Sequence, residues 1–170
     1  MAPDPEHLFQ RAVRLTEPWP SESEPRQTDL RRAISDAYYG LFHLAVSAAT
    51  DMFMDSRSPD EYATAYRSVR HEWLRSLCDQ LRKKKIAKTP PHLPEPFFGD
   101  VVKFATIVAE LQDLRHQADY DPSFSTAADE VKIRIAEARR AAELFLGAEE
   151  RQRAAFLALL LFNIRQTVQV

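Results

Sequence analysis

Residues 28–53 read TDLRRAISDAYYGLFHLAVSAATDMF, twenty-six positions with no proline and a single glycine, Gly40. Projected at about 100° per residue, Leu30, Ile34, Tyr38, Leu41, Ala45 and Ala48 fall within an arc of roughly 80°. That arc is a core-facing stripe, so the stretch is read as an amphipathic helix over 29–53, capped by Thr28. On the other side Arg32, Asp36, Tyr39 and His43 fall within roughly 60° of one another. A bland surface would leave that second face to solvent, with Arg32 and Asp36 as an i, i+4 pair worth a few tenths of a kcal/mol. A ladder of hydrogen-bonding groups at spacings of four, three and four residues also suits a binding face.

The eleven prolines organise the rest, because proline is excluded from helix interiors and here they leave long proline-free stretches between them. Asp4 and Pro5 open a short helix to about Leu15, and Pro18, Pro20 and Pro25 lie in a linker. Ser58, Pro59 and Glu61 form a capping box that starts a third helix, expected to run unbroken to Lys84. Residues 86–99 hold Pro90, Pro91, Pro94 and Pro96 and are expected as an extended loop anchored by Leu93, Phe97 and Phe98. A fourth helix is expected over 100–119, a fifth from Thr126 to Gly147 with Asp129 completing its cap, and a sixth over 148–162 that is apolar all round. No alternating strand pattern and no internal repeat is present. The expected fold is all-α: one domain built as an antiparallel bundle of four long helices with short flanking ones.

Composition narrows the function. The net charge is −2 over 170 residues, so no broad basic field is available to hold duplex nucleic acid. The densest positive run, Arg82, Lys83, Lys84, Lys85 and Lys88, reads either as a cationic helix end or as a local phosphate patch. The single cysteine, Cys78, excludes an intrachain disulfide and a thiolate zinc cluster. His7, His71 and His92 sit on separate elements with no paired carboxylate or histidine at ligand spacing, so no metal is expected. There is no glycine-rich phosphate loop, and no cofactor is expected. The longest apolar run, 154–162, is under half of the roughly 20 residues a bilayer span needs, and the start of the chain lacks a basic, apolar leader. A cytoplasmic protein without a membrane role is expected.

The fourth helix carries the sharpest signal. Val101, Phe104, Ala105, Val108 and Leu111 define its inward face, and the same projection brings Arg115 close to the middle of that face, with Asp119 one turn on. An inward arginine keeps its charge and therefore demands bonded partners or a wet cleft. Asp119 is the local candidate partner, and Asp36 and Tyr39 are the distant ones. A structural Arg115–Asp119 clamp ending the helix is the plainer alternative.

These two stripes resemble a known family. RRAISDAYYGLFH, residues 31–43, is similar to the RxAxxxAYYxxFH pattern of HEPN domains, and LRHQADYD, residues 114–121, resembles their LRxxADYD segment. The resemblance covers residues 28–146 and leaves 1–27 and 147–170 outside it. It implies a two-fold homodimer with the arginine near the dimer cleft. It also implies a metal-independent endoribonuclease, a toxin or defence component, with RNA or a nucleotide as ligand and a small nucleotidyltransferase antitoxin as partner. In that chemistry the RNA 2′-hydroxyl attacks the adjacent phosphate, a histidine moves the proton and the arginine stabilises the phosphorane. The family's histidine follows its arginine after four to six residues; here those positions are Tyr120, Asp121 and Pro122. The catalytic candidates are therefore Arg115, His43 and Tyr120, with Arg32, Asp36, Tyr39 and Asp119 as binding residues. A non-catalytic nucleotide-, RNA- or partner-binding module is the alternative, and a helical scaffold is the third reading.

Overall fold

The computed structural model describes residues 3–54, 58–83 and 97–162. Seven helices lie within them: α1 (Pro5–Arg14), α2 (Gln27–Met54), α3 (Pro59–Ser68), α4 (His71–Arg82), α5 (Asp100–Tyr120), α6 (Ala128–Leu146) and α7 (Glu150–Phe162). The described residues contain no strand, so the fold is all-α. The chain divides into two compact units, Met1–Leu44 with Ile107–Glu143, and Ala45–Thr106 with Leu144–Val170.

In the first unit, α1 starts where Asp4 accepts a hydrogen bond from the Glu6 amide (2.9 Å) and Pro5 takes the first helical position. Phe9 and Ala12 are its buried residues, and Phe9 packs on α2 at Gly40, where α2 has no side chain. A Cβ on Gly40 would stand 2.6 Å from Phe9 Cε1 and 2.7 Å from Cζ, so the glycine is what lets the ring seat. Helix α1 runs antiparallel to α2 (Phe9 on Gly40, Arg11 on Asp36) and to α6 (Glu6 on Arg139, Glu17 on Lys132). Gly40→Ala gains about 1 kcal/mol of helix propensity but forces a well-packed aromatic ring aside, which costs about 1–3 kcal/mol. A net loss of up to about 2 kcal/mol in denaturant unfolding is expected, relieved when Phe9→Leu is added; a stabilised Gly40→Ala would show that the ring yields freely.

Two expected boundaries move. Helix α2 begins at Gln27, so Thr28 is not its cap. Instead the Gln27 side-chain amide exchanges two hydrogen bonds with the Thr126 backbone, Nε2 donating to its carbonyl (2.8 Å) and its amide donating to Oε1 (3.1 Å). The start of α6 is held by Glu130 rather than Asp129: its carboxylate accepts from the Thr126 hydroxyl (3.0 Å) and the Ala127 amide (3.3 Å).

In the second unit the helix expected from Ser58 to Lys84 is broken. Val69 (ψ 123°) and Arg70 (ψ 147°) are extended, ending α3 and starting α4. The break turns Val69 into the interior, whereas α3 buries nothing and α4 buries Leu74, Leu77, Cys78 and Leu81. The Ser58–Glu61 capping box forms as expected. Phe104, Phe145 and Phe156 make a fully buried cluster, with Phe104 stacked on Phe145 at 4.2 Å. Helix α7 is covered on more than one side, burying Phe156, Leu157, Leu160 and Leu161 among others. Burial pushes the Cys78 thiol far up, so it stays protonated. Phe98, expected as an apolar anchor, is instead 60% exposed. The proline-rich stretch and Leu93, with Lys84, Lys85 and Lys88 of the basic run, lie outside the described residues. None of the described helices is long and apolar enough to cross a membrane.

Candidate functional site

The site lies within the first unit, where α2 meets the end of α5. The two helices run in opposite directions there. Arg31 Nε donates to the Ala118 carbonyl (2.6 Å) and its Nη2 to the Asp121 carbonyl, while the Ser35 hydroxyl donates to Asp119 Oδ1 (2.6 Å). A guanidinium on the last carbonyls of a helix satisfies acceptors that have no partner within it and opposes its dipole. Arg31 and Ser35 thereby fix the last turn of α5, which carries Arg115 and Asp119.

The Arg115 side chain is 13% exposed, and its Nε donates to Asp119 Oδ2 at 2.9 Å. Its guanidinium lies 5.7 Å from the ring centres of both Tyr38 and Tyr39 and 6.0 Å from that of Tyr120. Such stacking favours the cation, more so where water is thin. Burial alone would lower the Arg115 pKa; hydrogen bonds to Tyr120 and Asp119, with the Tyr39 and Asp119 charges, outweigh it and raise it. Tyr39 in turn stacks on His43, one helical turn on, with ring centres 6.1 Å apart. Tyr120 is 66% exposed and packs beside His116, 4.9 Å between ring centres. Arg115, Tyr39, Asp119 and Tyr120 thus form one cluster, joined to His43 through the Tyr39 ring.

Burial lowers the His43 pKa, so the ring is neutral at pH 7. The consequence for stability has a definite sign. With the folded value below the unfolded one of about 6.5, the unfolded chain binds its proton first, and stability falls as pH drops through 6.5 toward the folded value. A His43 ring that titrates below 6.5 by NMR is the expected result, and one titrating above it would contradict this environment.

Asp36 departs from expectation. It does not serve as Arg115's distant partner; it is fully buried and gripped by α1. Arg11 donates from Nε to Oδ2 at 2.5 Å and from Nη2 to Oδ1 at 2.6 Å, and Arg32 Nε lies 3.0 Å from Oδ1. The hydrogen bond to Asp36 raises the Arg11 pKa. Arg32 and Asp36 are therefore an anchored group together with Arg11, rather than a solvated pair.

Arg11, Arg31, Ser35, Tyr38 and His116 were not among the candidates. Arg11 lies outside the resembling segment and Tyr38 reads as core, which it also is. Arg31 and Tyr38 occupy lettered positions of the RxAxxxAYYxxFH pattern, and Ser35, a hydroxyl in mid-helix beside the polar stripe, is a further signal in the sequence.

Two clefts of about 210 and 350 Å³ open elsewhere in this unit, along α5 and α6 and the 124–126 turn. Glu110, Asp113, Glu130 and Glu137 line them against Arg134, an acidic surface that disfavours a polyanion. Among the described residues no group of three or more His, Cys, Asp or Glu side chains is arranged to hold a metal ion. Comparison of the chain with models of known families, with curated proteins and with solved structures gives no match.

Proposed function

We propose that this chain is a HEPN-like protein, its long helices an antiparallel four-helix bundle, that acts as a homodimer and cleaves single-stranded RNA without a metal. The observation that carries the reading is the Arg115 cluster: a permanently charged, largely buried guanidinium, stacked on tyrosines and tied to a neutral imidazole through Tyr39. A phosphate entering beside Arg115 meets a fixed cation in a low-water setting, where it opposes charge developing on a phosphorane most strongly. Neutral His43 accepts the proton of the attacking 2′-hydroxyl. Tyr120, bonded to Arg115, donates its proton to the leaving 5′ oxygen, and the proton taken up by His43 returns to Tyr120 through solvent. The products are a 2′,3′-cyclic phosphate and a 5′-hydroxyl, so atoms and charge balance without a co-reactant. A toxin of this kind would be held in check by a small nucleotidyltransferase partner.

One observation favours a second reading. The position five residues after Arg115 is Tyr120, a far weaker proton donor and acceptor at neutral pH than histidine, and Asp119 already holds the Nε edge of the arginine. Under that reading the groove binds RNA or a nucleotide without turnover. Incubating labelled single-stranded RNA with the protein and with Arg115→Ala, in chelator, separates the two. Cleavage by the wild type alone is expected; binding that Arg115→Ala loses, with no cleavage by either, would establish the module instead.

A further inference from the structure

The Arg11–Asp36–Arg32 group does more than fasten α1. It carries two guanidiniums on one carboxylate, a surplus of one positive charge. The carboxylate is 0% exposed while the Arg11 and Arg32 side chains are 45% and 55% exposed. The anion is thus sealed inside, and the cationic groups face water, held in position by their own hydrogen bonds. A guanidinium fixed in this way loses less freedom on binding a phosphate than a free surface arginine does.

Its position matters as much as its charge. Around the α2 axis, with Arg32 at 0°, Asp36 and Gly40 lie at about 40° and 80° and Tyr39 and His43 at about −20° and 20°. Helix α1 packs on Asp36 and Gly40. The end of α5 packs on Ser35 and Tyr39, at about −60° and −20°. The strip between these two walls is the Arg32, Tyr39 and His43 row. Arg32 and Tyr39 are seven residues apart, a rise of about 10 Å, which exceeds what a single phosphate can bridge.

We infer that the Arg11–Arg32 pair, held on buried Asp36, is a second phosphate subsite, so that the ligand is an RNA strand of several nucleotides lying along this strip with one phosphate at Arg115 and another at Arg32. The inference rests on the RNA reading above. Asp36 is a positioning residue and touches no ligand.

The test compares a single-stranded RNA 12-mer with a dinucleotide carrying one phosphate, by fluorescence anisotropy across a salt series. Each phosphate contact to a single strand contributes about 0.7 to the slope of log affinity against log salt. Arg32→Gln is chosen because Arg11 still holds Asp36 with two hydrogen bonds, so the fold survives. It is expected to weaken 12-mer binding roughly fivefold to tenfold and to lower the slope by about 0.7. The dinucleotide, which carries one phosphate and can still use the Arg115 subsite, loses less than the 12-mer, and Arg32→Lys restores the slope. An Arg32→Gln protein that binds the 12-mer with wild-type affinity and slope, while Arg115→Ala has lost it, would overturn the subsite and leave the RNA reading standing. Failure of the wild type to bind either oligonucleotide would remove the RNA reading itself, and the subsite with it.

Discussion

Arg115→Ala is expected to reduce RNA cleavage by about 10²- to 10³-fold, the range found when one preorganised donor to a developing oxyanion is removed. On the proposed reading the loss falls on the chemical step, because the inferred subsite at Arg11 and Arg32, which pair with Asp36, would still hold the strand. The fold should survive. Without Arg115, Asp119 keeps its hydrogen bond from Ser35 and, being partly exposed, is rehydrated. A circular dichroism spectrum and an unfolding midpoint close to wild type are the control, with a stability cost of about 1 kcal/mol. A collapse of the fold instead would mark Arg115 as a structural clamp, and full retention of cleavage would remove it from the chemistry.

The largest stability effect of a single charged residue should come from Arg11. Removing it leaves Oδ2 of a fully buried carboxylate without its donor, with only Arg32 on the other oxygen. Breaking a buried pair from one side costs about 3–5 kcal/mol. Arg11 is itself nearly half exposed, so part of the attraction is screened and water can enter, as for exposed pairs worth about 0–1 kcal/mol. We expect Arg11→Ala to lose about 2–3 kcal/mol. For a chain of this size that lowers the thermal midpoint by about 4–12 °C. Asp36→Ala should cost less, since the two guanidiniums it frees can both turn to water. The reverse ordering would mean that the carboxylate is hydrated after all, and a double-mutant cycle between the two positions measures their coupling directly.

Helix starts marked by proline were the most legible part of the fold. Asp4–Pro5 and Ser58–Pro59 open α1 and α3 where the capping chemistry requires. The apolar positions of α5 likewise put Arg115 on a shielded face with Asp119 as its partner, because i, i+4 neighbours are a local matter. What escaped the sequence was decided at long range. No proline or glycine marks the break at Val69 and Arg70; it exists because Val69 is buried and α3 is not. The start of α2 follows from Gln27 meeting Thr126, 99 residues away. Asp36 found its partner on α1, from which it is separated by the whole 15–26 linker, and no periodicity records such a pairing. The importance of Gly40 was hidden for the same reason, since a glycine in mid-helix reads as a small local cost until the ring opposite is known.

The chain's one cysteine is sealed in the interior and kept as a thiol. Any cysteine introduced on the surface, for example beside the Arg32 strip, would then be the sole group to take a maleimide dye or spin label in the native protein. Site-specific spectroscopy of this groove therefore requires no prior removal of native thiols, and the sequence under study stays otherwise intact.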